Sequence, residues 1–213
     1  MNAIECRDLT KSYQGFTLDH ITFTLPAGCI LGLVGENGAG KSTTLKLLMN
    51  ATSREDGQVS LLGTDNQSPD FLQTKQDIGV VLDEATSGLD PMVRDEVLDV
   101  FNEFTRDETH TVVLSSHIVS DLEKICDYIA FLHKGKLILF EEKDQLLEEY
   151  AIVKLSPAQL AELDRSAVAG VKQGPYGAEA LVKRDQIPAT FVTEHTTLED
   201  IILFLAKTQT EMQ

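Results

Sequence analysis

At 213 residues, 42% hydrophobic and 24% charged, the chain has the composition of a soluble globular protein with a substantial core. A net charge of −16 argues against general nucleic-acid binding, and against adhesion to anionic lipid by charge alone. Three scattered cysteines, Cys6, Cys29 and Cys126, suggest neither a disulfide framework nor a zinc site. No apolar run approaches a membrane span and the N-terminus lacks a signal peptide, so a cytosolic chain is expected, held at the bilayer surface only by a membrane partner.

Residues 1–28 read as short strands and turns: Ile4–Leu9, Phe16–Asp19 and Ile21–Leu25, with Pro26-Ala27-Gly28 as a turn. The apolar run Cys29–Val34 predicts a buried strand, and Thr43–Met49 a helix. Gly57–Gly63 is a strand bounded by glycines, followed by a polar connection to about Asp77 and a buried-strand candidate at Ile78–Leu82. Residues 92–106 are helical by pattern, with Val93, Val97, Val100, Phe101 and Phe104 on one face. Thr111–Ser116 is a further strand, 118–126 a helix, and Tyr128–His133 and Lys136–Phe140 two more strands. Alternating strands and helices predict a parallel sheet covered by helices, with ligand chemistry at the carboxyl ends of its strands. The character changes near residue 144. Residues 144–213 read as a small α+β appendage: a strand at Ala151–Leu155, a helix at Pro157–Leu163 and a turn at 174–177. A last helix there opens on a capping box of Thr196 with Glu199.

Between the strand at 29–34 and the helix at 43–49 lies Gly35-Glu36-Asn37-Gly38-Ala39-Gly40-Lys41-Ser42, which fits G-x-x-x-x-G-K-[ST] in its required setting. Glycines let the backbone curl so that successive N–H groups of residues 35–43, Thr43 included, face a phosphate at a helix N-terminus. Lys41 is placed to reach the β- and γ-phosphates of a nucleoside triphosphate, and Ser42 to set its hydroxyl on Mg²⁺. Asp83-Glu84 closes the run 78–82. An aspartate at a strand end can hold Mg²⁺, and the next carboxylate can orient and deprotonate an attacking water.

The continuation Asp83-Glu84-Ala85-Thr86-Ser87-Gly88-Leu89-Asp90-Pro91 resembles the Walker B element and D-loop of ABC transporter ATPases. That resemblance covers residues 1 to about 143 and implies a P-loop NTPase sheet flanked by helices, with antiparallel strands at the N-terminus. It makes His117 the switch histidine at the γ-phosphate, Tyr13 the aromatic that stacks on adenine, and Asp90 part of the nucleotide site. The tail is similar to the C-terminal extensions of export-type members. By the same resemblance the chain binds ATP with Mg²⁺ and pairs with a separate membrane subunit.

One departure stands out. Members of the family carry a strand ending in a glutamine, a helical subdomain and a Leu-Ser-Gly-Gly-Gln-like signature ahead of Walker B. Here Ile78–Leu82 looks like the strand entering that glutamine loop, yet runs directly into Asp83-Glu84, and no Ser-Gly-Gly-Gln occurs. An internal deletion near 82–84 accounts for both. Family ATPases close each site with a partner's signature, so a homodimer of this chain could not complete one. Two expectations follow: the ATP-binding subunit of an exporter, or a nucleotide-binding, hydrolysis-deficient half or remnant that needs a signature-bearing partner. A GTPase or small-molecule kinase leaves 83–91 unexplained and lacks an Asn-Lys-x-Asp run.

Overall fold

The computed structural model describes residues 1–75, 78, 90–175 and 177–211. The strand expected at 78–82, apart from Ile78, and the Asp83–Leu89 run lie outside these residues. The chain divides into two compact units, Met1–Glu141 and Glu142–Gln213.

The first unit opens with two long antiparallel strands, β1 (Asn2–Tyr13) and β2 (Phe16–Pro26). The sequence predicts short strands at Ile4–Leu9, Phe16–Asp19 and Ile21–Leu25. The chain instead stays paired through bulges, with register shifts between Cys6 and Leu9 and between Leu9 and Lys11. Asp8 and His20 take positive φ values of 49° and 50° there. β4 (Asp56–Leu61) pairs antiparallel with β1, and β5 (Thr64–Asp65) with β4. The polar connection after it holds a single helical turn, α2 (Phe71–Thr74), whose Phe71 is buried.

A second sheet carries the parallel strands. β3 (Ile30–Val34) lies between β6 (Val112–Ser115) and β7 (Tyr128–His133), parallel to both, and β8 (Lys136–Glu142) follows beside β7. All five residues of β3 are buried, as expected of a strand flanked on both edges and covered on both faces. Helix α1 (Lys41–Leu48) buries Leu45, Leu47 and Leu48 in a core shared with β1, β2, β3 and β4, which ties the two sheets together. Phe140 of β8 stacks on Tyr128 and on Phe23, with ring centres 5.5 and 5.2 Å apart.

Helix α3 (Pro91–Phe104) is present, yet its apolar stripe is not the buried face the sequence predicts. Val93, Val100 and Phe104 are 44%, 64% and 48% exposed, while Leu98 is the residue sunk in the core. Among the described residues only α4 (Val119–Ile125) packs broadly against this helix. Arg94 and Lys124 reach Asp121 and Asp95 across that contact, at 3.7 and 2.8 Å.

The second unit begins with α5 (Lys143–Glu149), followed by β9 (Tyr150–Leu155), α6 (Pro157–Glu162), β10 (Val168–Gly174), β11 (Gly177–Lys183), β12 (Thr193–Glu194) and α7 (Leu198–Glu211). Its sheet is antiparallel in the order β10-β11-β9-β12, around a core of Ala151, Val153, Leu155, Leu163, Ala180 and Val182. The capping box of α7 sits one residue later than the sequence predicts. Thr197 Oγ1 and N–H both donate to Asp200 Oδ2, at 2.7 and 3.1 Å, and Asp200 N–H donates back to Thr197 Oγ1. Thr196 is buried and its hydroxyl has no hydrogen-bond partner among the described residues, so it does not serve as the cap.

Candidate functional site

The chain leaves β3 at its carboxyl end and turns through residues 35–40 into α1. Gly35 lies so close to β7 that a Cβ there would collide with the Leu132 carbonyl oxygen. Gly40, at φ 111°, occupies the left-handed conformation that starts the helix, and a Cβ on it would press on Leu18 and Phe16. Ala39 N–H donates to the Glu36 carbonyl at 3.0 Å and Thr44 N–H to the Gly40 carbonyl at 2.8 Å, closing the loop upon the helix. The Lys41 side chain folds back across the loop, with Nζ donating to the Gly35 carbonyl at 2.8 Å and to that of Glu36 at 3.4 Å. Lys41 is buried, whereas Glu36, Asn37, Gly38 and Ser42 are exposed and Thr43 half-buried. This is a concave run of main-chain groups with an ammonium at its centre and a helix N-terminus beneath, the architecture that receives a phosphate group.

His117 is brought to the same edge: Leu33 pairs with Ser115 in parallel register, so Gly35 and His117, each two residues further on, both emerge at the carboxyl ends of their strands. His117 is exposed there. Tyr13 stands at the tip of the β1–β2 hairpin, 45% exposed, opposite Phe16, with Lys11 Nζ 5.7 Å from its ring centre. Phe16 lies against Gly40, so this hairpin tip borders the loop. Asp90 is the N-cap of α3, its carboxylate accepting from Met92 N–H at 3.0 Å. Asp83 and Glu84 lie outside the described residues.

Two neighbours of the loop escaped the sequence reading. Phe16 was seen only as part of a strand, and its contact with Gly40 depends on a hairpin that no local pattern reveals. His133, at the end of β7, lies with Nδ1 3.3 Å from Glu36 Oε1. The available signal was the Lys134-Gly135 pair after it, a two-residue turn between strands that returns the chain beside the loop.

Among the described residues no three His, Cys, Asp or Glu side chains cluster so as to hold a metal. Ser42, exposed at the start of α1, offers a hydroxyl of the kind that can ligate a cation shared with phosphate oxygens.

Such a loop between a buried parallel strand and a helix defines a P-loop NTPase-like α/β fold. The structure resembles that of CbiO1 from Clostridium perfringens, part of the ABC transporter complex CbiONQ, with a TM-score of 0.61 at 15% identity over 68% of this chain and 90% of the other. The ABC transporter family matches residues 18–164, so the chain belongs to that family, through its ATP-binding domain. Its relatives include the ABC transporter ATP-binding protein YhcH of Bacillus subtilis, 25% identical over 289 aligned positions that cover 98% of this chain and 92% of YhcH. The lantibiotic transport ATP-binding protein SrtF of Streptococcus pyogenes is 26% identical over 210 positions, covering 66% of this chain and 91% of SrtF.

Proposed function

We propose that this chain is the ATP-binding subunit of an exporter, working with a separate membrane subunit on the inner face of the cell membrane. The observation that carries this reading is the loop at 35–42, with Lys41 Nζ held over its carbonyls at the end of β3. The export assignment draws on relatives such as SrtF, named for lantibiotic transport. Among the described residues no helix is long and apolar enough to cross a membrane.

In this reading the N–H groups of residues 35–43 and the Lys41 ammonium bind the phosphates, and Tyr13 stacks on the base. Ser42 and Asp83 hold Mg²⁺, which supplies charge neutralisation at the phosphate oxygens. Glu84 orients and deprotonates water, His117 contacts the terminal phosphate, and Asp90 completes the edge of the site from the D-loop.

A second reading, nucleotide binding without turnover by the chain alone, is favoured by one observation. The alignment with YhcH runs over 289 positions whereas this chain has 213 residues, so the relative carries stretches with no counterpart here. An internal deletion near 82–84, removing the glutamine loop and the signature, fits that excess. The chain would then need a dimer partner that supplies a signature.

An equilibrium titration with Mg-ATP, with Lys41→Ala as control, tests nucleotide binding itself. Saturable binding that disappears in Lys41→Ala is the expected result, and wild-type affinity in that variant would overturn the loop assignment. Turnover by the chain alone, abolished by Glu84→Gln with binding retained, would decide for the first reading over the second.

A further inference from the structure

His133 is a buried imidazole with no role in nucleotide binding as described above. It is 5% exposed, and its Nε2 is buried without a hydrogen-bond partner among the described residues. A leucine would fill such a place without stranding a polar nitrogen, which is unfavourable in either protonation state. What the imidazole gains lies on its other side, where Nδ1 is 3.3 Å from Glu36 Oε1. A carboxylate only accepts, so Nδ1 is the ring nitrogen placed to face it as a donor.

Glu36 is the pivot of the phosphate loop. Its carbonyl accepts from both Ala39 N–H and Lys41 Nζ, so fixing this residue fixes the curl of the loop and the place of the ammonium. The turn after His133 grips the same loop a second time. Lys134 and Gly135, at φ 46° and 82°, reverse the chain, and Gly135 N–H donates to the Ala39 carbonyl at 3.0 Å. The Gly135 carbonyl in turn accepts from Asp19 N–H at 2.8 Å, anchoring the turn to β2.

We propose that His133 is a positioning residue for the phosphate loop, holding Glu36 by its side chain while the following turn holds Ala39 by its main chain. The loop is thereby set in its curled form before any nucleotide arrives. This rests on the nucleotide-binding reading for its purpose, though not for its geometry. Binding then forfeits less loop entropy than it would from a free loop.

Hydrogen exchange of residues 35–41 in the nucleotide-free chain tests the geometry directly, and a Mg-ATP titration tests the purpose. His133→Ala is expected to speed exchange in this segment while leaving exchange in β9–β11 unchanged, and to weaken Mg-ATP by on the order of tenfold. His133→Asn, whose amide can donate to Glu36 from nearly the same place, is expected to restore both. Glu36→Ala, an exposed change that does not disturb the core, should reproduce the defect, and the double variant should be no worse than either single one. Unchanged exchange at 35–41 in Glu36→Ala and His133→Ala, or effects that simply add, would overturn the positioning role. The expected exchange effects in the variants, together with a wild-type chain that binds no Mg-ATP, would instead overturn the nucleotide reading.

Discussion

Cys6 illustrates how burial sets chemistry at one residue. Its thiol is fully enclosed in β1 and donates to the Ile21 carbonyl at 3.3 Å, and burial pushes its pKa up to about 12. The thiolate is the nucleophile, so the folded chain is expected to resist iodoacetamide at Cys6 at pH 8, with half-buried Cys29 reacting first. Peptide mapping of partially alkylated protein checks the order, and equal rates at the two cysteines would contradict it. Because the raised value applies only to the folded state, the unfolded chain binds fewer protons between its own thiol pKa and about 12. Stability from this group is therefore complete below that window and declines as pH rises through it. At the same scale, the phosphate loop was legible because the eight neighbouring residues Gly35–Ser42 and their flanks follow one rule of backbone geometry. His133 was not, since a single histidine at a strand end carries no spacing signal, and its meaning comes from Glu36, nearly a hundred residues earlier.

Helix α7 shows how two adjacent threonines divide the work of an element's end. Both Thr196 with Glu199 and Thr197 with Asp200 satisfy the capping-box spacing, so sequence alone does not choose between them. Burial does choose: Thr196 points into the core and exposed Thr197 makes the reciprocal bonds with Asp200. Thr197→Ala is accordingly expected to lower stability by about 1 kcal/mol. Thr196→Val, which keeps the shape and removes a buried hydroxyl without a partner, is expected to be neutral or stabilising. Denaturant titration of both variants would reveal the order, and a larger loss in Thr196→Val would place the cap back where the sequence pattern first suggests it. The same limit explains β2. The bulge at His20 separates Phe16–Asp19 from Ile21–Leu25, so the eleven residues of β2 read locally as two short strands. The β10–β11 hairpin was legible only at its turn, because short, small residues such as Ala178 and Ala180 give its strands little β-branched or aromatic character.

For the whole molecule, net charge and the uncovered stripe of α3 act against each other. Composition alone reports the first: 34 acidic against 18 basic residues leave −16, and copies of the chain repel at low ionic strength. The second required the fold, since periodicity predicted the stripe of Val93, Val97, Val100, Phe101 and Phe104 but not that much of it would face solvent. An exposed apolar stripe attracts its own kind once the repulsion fades. Salt weakens that repulsion steeply, because the screening length falls from about 30 Å at 0.01 M to about 3 Å at 1 M. Light scattering of the purified chain is therefore expected to rise as sodium chloride is raised from 0.01 to about 1 M. Replacing Val93 and Val100 together by glutamate puts charge on the stripe itself and is expected to hold the protein monodisperse across that range. A wild-type chain that stays monodisperse at high salt would show that the stripe does not drive association. A double variant that still associates would place the adhesive surface elsewhere on the chain.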